Sequence, residues 1–252
     1  VSIKLLSALP VLLSVCYLEG REMMIIAHRG ASVQEPENTM RAFEKAVQLR
    51  ADMMEFDVHE CASGEIVIIH NDTLDETTNG YGEVAKTPLA GLQRLDAGKG
   101  EPIPTLQKVL ETFRGRIKLD IELKGRHTGK PVAYLLHEYI YHYKWPVSDI
   151  LVTSFIKEEL LRLHVIMPVV RLGLIFDDGE PLVYDSEIFQ HIIIPISSLK
   201  PEAVSDAHAR GVRVFVYTVN QSEDIRYARE CDVDGIISDV PDIVRATLIQ
   251  NG

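Results

Sequence analysis

Met53-Met-Glu-Phe-Asp-Val58 is an apolar run broken at every second position by a carboxylate, first Glu55 and then Asp57. Successive side chains of a β-strand point to opposite faces. As a strand, therefore, this run carries both carboxylates on one face and Met54, Phe56 and Val58 on the other. Outward from it, short apolar runs recur at residues 24–27, 117–123, 150–154, 171–176, 192–196, 213–218 and 235–238, which with 53–58 makes eight. Stretches with helical spacing lie between and after them, at 39–49, 105–113, 132–143, 157–165, 180–190, 201–209, 222–230 and 241–249. Asn38, Ser222, Pro201 and Pro241 stand where helices should begin, as N-caps or first-turn prolines. Alternating strand and helix predicts an α/β protein with a parallel sheet, and eight such units in 252 residues predict a (β/α)8 TIM barrel.

One apolar run, 66–69, is left over and is joined to the second strand by a short link containing Ser63-Gly64. Parallel neighbours need a crossover of about a dozen residues. This pair is therefore expected as an antiparallel hairpin outside the barrel, returning His70 toward Glu55 and Asp57. Residues 71–104 are turn-rich and are expected to form a small insertion after that hairpin. The expected domain organisation is an N-terminal appendage over residues 1–22 and one barrel domain over 23–252. Residues 5–18, preceded by Lys4, have the length of a signal-peptide core and fall short of a membrane span. Pro10 interrupts them and no clean cleavage box follows, so a cytoplasmic location is expected, with export as the alternative if residues 1–22 act as a signal peptide. Cys16, Cys61 and Cys231 form no Cys-x-x-Cys pair, which argues against a disulfide framework and a thiolate metal site.

A hydrophobic share of 46% and a charged share of 25% are ordinary for a globular chain. With 26 Lys plus Arg against 37 Asp plus Glu, the net charge of -11 repels nucleic acid and anionic membrane surfaces. The expected partner is a small molecule, with no nucleic acid and no stable membrane insertion. In α/β barrels the catalytic groups come from the C-terminal ends of the strands and the loops after them. His28 and Arg29, Glu55 and Asp57, and Glu122 and Lys124 all occupy such positions, with His70 at the end of the hairpin. Several carboxylates on one buried face repel one another and are penalised by desolvation, so something cationic belongs among them. A hard divalent ion such as Mg²⁺ or Ca²⁺ takes oxygen ligands. Arg29 and Lys124 are a partial alternative, and both also suit a phosphate. Arg29 in a plain buried ion pair with Glu55 or Asp57 is the structural alternative. Asp120, deeper on the same face as Glu122, is expected to pair with Lys118 or Arg29. The remaining histidines, among them His59, His191 and His208, are expected on the surface or satisfied in the core. Tyr134, Tyr139, Tyr141, Tyr143 and Trp145 are expected to pack the barrel.

An ordered set of strings resembles the glycerophosphodiester phosphodiesterase family. They are Ala27-His-Arg-Gly-Ala31, Pro36-Glu-Asn-Thr39, Glu55-Phe-Asp-Val58, Val67-Ile-Ile-His70, Ile103-Pro-Thr-Leu106, Ile121-Glu-Leu-Lys124, Thr153-Ser-Phe155, Tyr217-Thr-Val-Asn220 and the stretch from Asp234 to Asp242. The resemblance spans residues 24–243 or so. It implies hydrolysis of a glycerophosphodiester to sn-glycerol 3-phosphate and an alcohol on a barrel of this type, with one divalent cation. Carried over, Glu55, Asp57 and Glu122 become metal ligands, His28 and His70 the acid/base pair, and Arg29 and Lys124 phosphate contacts. Phe155 and Tyr217 are placed on the substrate pocket wall. By likeness to phospholipase-type barrels, the glycerol 2-hydroxyl attacks first and a cyclic phosphate follows. Two positions depart from the family's habit: Glu76 stands where an Arg is common, and Tyr217 where a Trp is frequent. The alternatives are a phosphoinositide- or sphingomyelinase-type phospholipase on the same barrel, and a non-catalytic barrel scaffold.

Overall fold

All eight barrel runs become strands in the computed structural model, which describes residues 23–250. The expected appendage with its signal-like segment, and Cys16, lie outside the described residues. In chain order the elements are β1 (Met24–Ala27), α1 (Met40–Gln48), β2 (Met53–Glu60), β3 (Ile66–Ile68), α2 (Leu89–Leu92), α3 (Leu106–Phe113), β4 (Lys118–Leu123), α4 (Gly129–Tyr141), β5 (Ile150–Ser154), α5 (Lys157–Ile166), β6 (Arg171–Ile175), β7 (His191–Pro195), α6 (Pro201–Ala209), β8 (Arg213–Tyr217), α7 (Ser222–Glu230), β9 (Gly235–Ser238) and α8 (Pro241–Gln250). Strands β1, β2, β4, β5, β6, β7, β8 and β9 pair in parallel in that order, and β1 pairs with both β2 and β9, which closes the TIM barrel. Strand β3 lies antiparallel on β2, with Val58 opposite Ile68, outside the barrel as its short link requires.

The alternation along each strand divides the interior into two cores. Ile26, Met53, Leu151, Ile175, Ile193, Phe215 and Ile237 face the barrel axis. Gly173 and Gly235 make room for them, since a Cβ on Gly173 would sit 2.6 Å from Ile193 Cδ1 and one on Gly235 2.8 Å from Phe215. The opposite strand faces meet the helices in a larger core that includes Phe43, Phe56, Phe113 and Trp145. Phe43 packs tilted against Phe56 at 5.4 Å between ring centroids and edge-on against Phe113 at 6.2 Å. Each such burial contributes about 1.5–3 kcal/mol. The insertion has its own cluster, in which Val67, Ile69, Leu74, Val84, Leu92 and Ile103 pack together and fasten it to the hairpin. Among the described residues no helix is long and apolar enough to cross a membrane.

Four expectations need correction here, the first being Ser222, which is the first residue of α7 behind the N-cap Gln221 and not the cap itself. Residues 180–190 form no helix. The connection from β6 to β7 is irregular, held by buried Tyr184 and Phe189, whose spacing of five matches no helical stripe, with Pro181 near its start. Asn38 is not the N-cap of α1; Thr39 is, its Oγ1 accepting from the Ala42 N–H at 3.3 Å. Of the tyrosines around α4 only Tyr139 is buried with Trp145, whereas Tyr134, Tyr141 and Tyr143 are exposed because they fall off the stripe that faces the sheet.

Candidate active site

The turn after β1 is tight. Arg29 adopts φ 53° and its N–H donates to Glu55 Oε2 at 2.8 Å, which ties the turn to β2. Gly30 follows with φ 81°, and a Cβ there would lie 2.7 Å from the Ala42 backbone, so only glycine lets α1 come this close. This turn fixes His28, whose Nδ1 lies 2.6 Å from Asp239 Oδ1, just past the end of β9. Asn220 Nδ2 donates to Asp239 Oδ2 at 2.6 Å and Ser32 Oγ to Oδ1 at 3.1 Å. Asn220 Oδ1 in turn accepts from the Asp239 N–H at 3.0 Å. Burial alone would raise the Asp239 pKa, but the hydrogen bonds from His28, Asn220 and Ser32 win and hold it at about 2. An ionised carboxylate only accepts, so the His28 Nδ1 carries the hydrogen. Its Nε2 then lies 4.0 Å from Glu55 Oε2.

Glu55, Asp57 and Glu122 each offer one oxygen within 4.8 Å of the others, and all three are buried. Burial first, then the neighbouring Asp57, Glu122 and Asp120 charges, push the Glu55 carboxyl well above its usual range. Glu122 is raised to about 7 by burial and the Asp57 charge, although Lys124 pulls the other way. Asp57 goes down. Burial would raise it, but Arg29, His70 and Lys124 outweigh that, together with a hydrogen bond from Asn38 Nδ2 at 2.8 Å. Glu55 Oε1 and Asp57 Oδ1 are buried with no hydrogen-bond partner. Two orphaned carboxylate oxygens inside a buried all-oxygen cluster, two of whose three carboxyls resist ionisation without a cation, suit a hard divalent cation.

Across the mouth, His70 follows the hairpin, with its Nδ1 against Asn71 Oδ1 and its carbonyl accepting from His59 Nε2 at 3.1 Å. Burial lowers the His70 pKa. Arg29 donates through a terminal nitrogen to Glu37 Oε1 at 2.9 Å and holds its Nε 3.4 Å from Asp57 Oδ2. Lys124 Nζ donates to Glu122 Oε1 at 2.9 Å and sits over the Phe155 ring, 5.1 Å from its centroid. Phe155 meets Tyr217 edge-on at 6.2 Å, and the Tyr217 hydroxyl donates to the Phe176 carbonyl at 2.7 Å. His28, Arg29, Glu55, His70, Glu122, Lys124, Phe155 and Tyr217 thus open onto one cavity of about 250 Å³ at the C-terminal mouth of the barrel.

Asp120 is a correction. Thr153 Oγ1 donates to it at 2.7 Å, and burial raises its pKa to about 8. Lys118 is exposed at the other end of the strand, and Arg29 is taken up by Glu37 and Asp57, so neither pairs with it. Glu76 is exposed on the insertion. Sequence reasoning missed Asp239, Asn220 and the contact of Asn38 with Asp57. Asp239 did carry a signal, because it ends a barrel strand just as His28 and Lys124 do.

A closed α/β barrel with carboxylates, imidazoles and cations gathered at its C-terminal mouth is the framework of an enzyme acting on a phosphate ester. The profile of the glycerophosphoryl diester phosphodiesterase family matches residues 28–243. The chain belongs to that family. A glycerophosphodiester phosphodiesterase of Caldanaerobacter subterraneus subsp. tengcongensis is 33% identical over 241 residues, covering 91% of this chain and 98% of its own. One of Bacillus altitudinis is 34% identical over 236 residues, covering 86% and 95%. Among solved structures, an Oleispira antarctica phosphodiesterase in complex with the product sn-glycerol-3-phosphate superposes with a TM-score of 0.82 at 29% identity, covering 90% of this chain and 96% of that one.

Proposed function

We propose that this protein hydrolyses glycerophosphodiesters to sn-glycerol 3-phosphate and an alcohol. The observation that carries this reading is the convergence of both histidines, both cations and the acidic cluster on a single small cavity. The names of its relatives and the product held by the Oleispira antarctica enzyme support it. Glu55, Asp57 and Glu122 would hold one divalent cation, Mg²⁺ or Ca²⁺, which when bound supplies polarisation of the phosphoryl oxygens.

Arg29 and Lys124 bind the phosphate, the first as a planar fork and the second as a point charge. Phe155 and Tyr217 form the apolar wall against which the glycerol backbone lies. His28, its Nδ1–H committed to Asp239, presents Nε2 to the cavity and takes the proton of the glycerol 2-hydroxyl. That oxygen attacks phosphorus, the bond to the head-group oxygen breaks, and His70 donates a proton to the departing alcohol. Water then opens the resulting cyclic phosphate, with His70 as base and His28 as acid. The His28 Nδ1–H is committed to the Asp239 carboxylate, whereas the His70 Nδ1 lies against the neutral Asn71 amide, and this asymmetry is why His28 acts first as base.

The test incubates the purified protein with glycerophosphocholine, couples glycerol 3-phosphate release to its dehydrogenase, and compares chelated with metal-restored enzyme. Turnover that vanishes on chelation and returns with Mg²⁺ or Ca²⁺ is expected. Metal-independent turnover would defeat the ligand set, and a persistent cyclic product would favour a phospholipase. No turnover with any head group would leave a scaffold.

A further inference from the structure

At the opposite end of the barrel a second polar constellation has no part in this chemistry. Met24, Lys118, Arg171 and Arg213 open β1, β4, β6 and β8, which are alternate strands of the barrel. Lys118 shares its strand face with Asp120 and Glu122, Arg171 with Ile175, and Arg213 with Phe215, all of which face the axis. Alternate strands contribute side chains to one layer, so the N-terminal rim of the barrel carries one half-buried methionine and three solvent-exposed cations. Among the described residues none of these three side chains has a hydrogen-bond or ion-pair partner, in a chain whose net charge is -11. Asp52 and Asp232 lie on the rim of this mouth but pair with none of the three, and an anion seated among the three cations is attracted by every one of them.

His191, the first residue of β7, is registered beside Arg213 and is only 4% exposed. Its Nδ1 is buried and has no partner. Burial, then Arg213 and Arg171, push the imidazole pKa down to about 3, so the ring is neutral near neutral pH and carries one N–H. With the three cations it lines a cavity of about 30 Å³, room for a single water-sized group. This cavity adjoins an open depression of about 730 Å³ that shares Lys118 and Arg213 and adds Arg229 and Arg245 against Asp52 and Asp232.

We propose that the N-terminal mouth of the barrel binds a compact oxyanion of the phosphate type, gripped by Lys118, Arg171 and Arg213, with one oxygen entering the small cavity to reach His191. The shape decides the class: one oxygen fits inside, and the remaining oxygens stay among the guanidinium and ammonium groups. Free phosphate and the terminal phosphate of a monoester share this chemistry.

Thermal unfolding of the full chain in chloride buffer of constant ionic strength, titrated separately with phosphate, sulfate and glycerol 3-phosphate, tests the proposal. Wild type should be stabilised saturably. The double variant Arg171→Met/Arg213→Met should unfold at a higher temperature than wild type without oxyanion, because repulsion is relieved. It should also bind phosphate at least about tenfold more weakly. Its turnover of glycerophosphocholine should match wild type, since neither residue touches the catalytic cavity. Anion binding at the catalytic mouth is common to both proteins and cancels in the comparison. A glycerol 3-phosphate response that weakens in the double variant as the phosphate response does identifies a monoester as ligand, and one that the double variant leaves unchanged while phosphate weakens identifies the free ion. An unchanged phosphate response in the double variant, or none in wild type, overturns the site. Should the double variant fail to fold, Lys118→Gln titrated calorimetrically at 25 °C makes the same comparison.

Discussion

At the scale of single residues, the chemistry rests on two imidazoles with unlike backing. His28 leans on an ionised carboxylate that Asn220 and Ser32 hold in place, whereas His70 leans on a side-chain amide. His28→Ala and His70→Ala should each slow turnover by at least about a hundredfold, with glycerol 3-phosphate binding largely kept in calorimetry. Leaving-group chemistry then separates their roles. A glycerophosphodiester of p-nitrophenol needs no proton on its departing oxygen, so it should restore much of the rate of His70→Ala and none of that of His28→Ala. Asp239→Asn belongs with His28. Its kcat should fall by about a hundredfold on choline and p-nitrophenol substrates alike while KM changes little. Rescue of Asp239→Asn by the activated substrate would reverse the order of the two histidines. Glu55, Asp57, Glu122, His28 and His70 were legible because each ends an apolar run where barrel chemistry is found. Asp239 shares that position at a strand end, but its role was not legible, because its partner is a histidine 211 positions away that it meets only when the barrel closes and brings β9 beside β1.

At the scale of elements, period-two runs read reliably because both faces of every barrel strand are buried, and the short Ser63-Gly64 link left the hairpin no parallel solution. The weak reading fell on residues 180–190. Two large side chains, Tyr184 and Phe189, anchor that crossover without a repeating stripe, and the Arg210 guanidinium stacks on Tyr184 at 4.0 Å from the ring centroid. Spacing cannot announce an element whose order comes from distant partners. Gly173 shows the same limit from the other side. It looks like a weak point in a strand, yet its missing side chain is the space that Ile193 and Thr153 fill. Gly173→Ala should therefore destabilise the barrel by about 1–3 kcal/mol in denaturant unfolding, although alanine is ordinarily harmless in a strand. A cost near zero would mean that Ile193 moves aside freely. Thr39→Ala, which removes the true cap of α1, should cost about 1 kcal/mol by the same measurement.

At the scale of the whole molecule, the barrel separates two charge problems along its axis: carboxylates crowded at the C-terminal mouth and cations crowded at the N-terminal one. Composition conceals this, since a net charge of -11 averages over both ends. His191 reports on the lower end. Burial, then Arg213 and Arg171, hold its folded pKa at about 3, with only Asp234 pulling upward, against an ordinary value of 6.5. The folded pKa is the depressed one, so between those two values the unfolded chain binds a proton that the folded chain refuses, and stability rises with pH. The contribution is complete above pH 6.5 and is lost as pH falls toward 3, at about 1.4 kcal/mol for each pH unit. Between pH 7 and pH 5 this single group should remove about 2 kcal/mol. His191→Leu keeps an apolar side chain of similar bulk against Phe215 and cannot take up the proton. Urea unfolding at both pH values in phosphate-free buffer should show the variant losing about 2 kcal/mol less than wild type over that interval. Parallel losses in the two proteins would mean that His191 titrates normally in the folded state, and that water reaches the ring despite its burial.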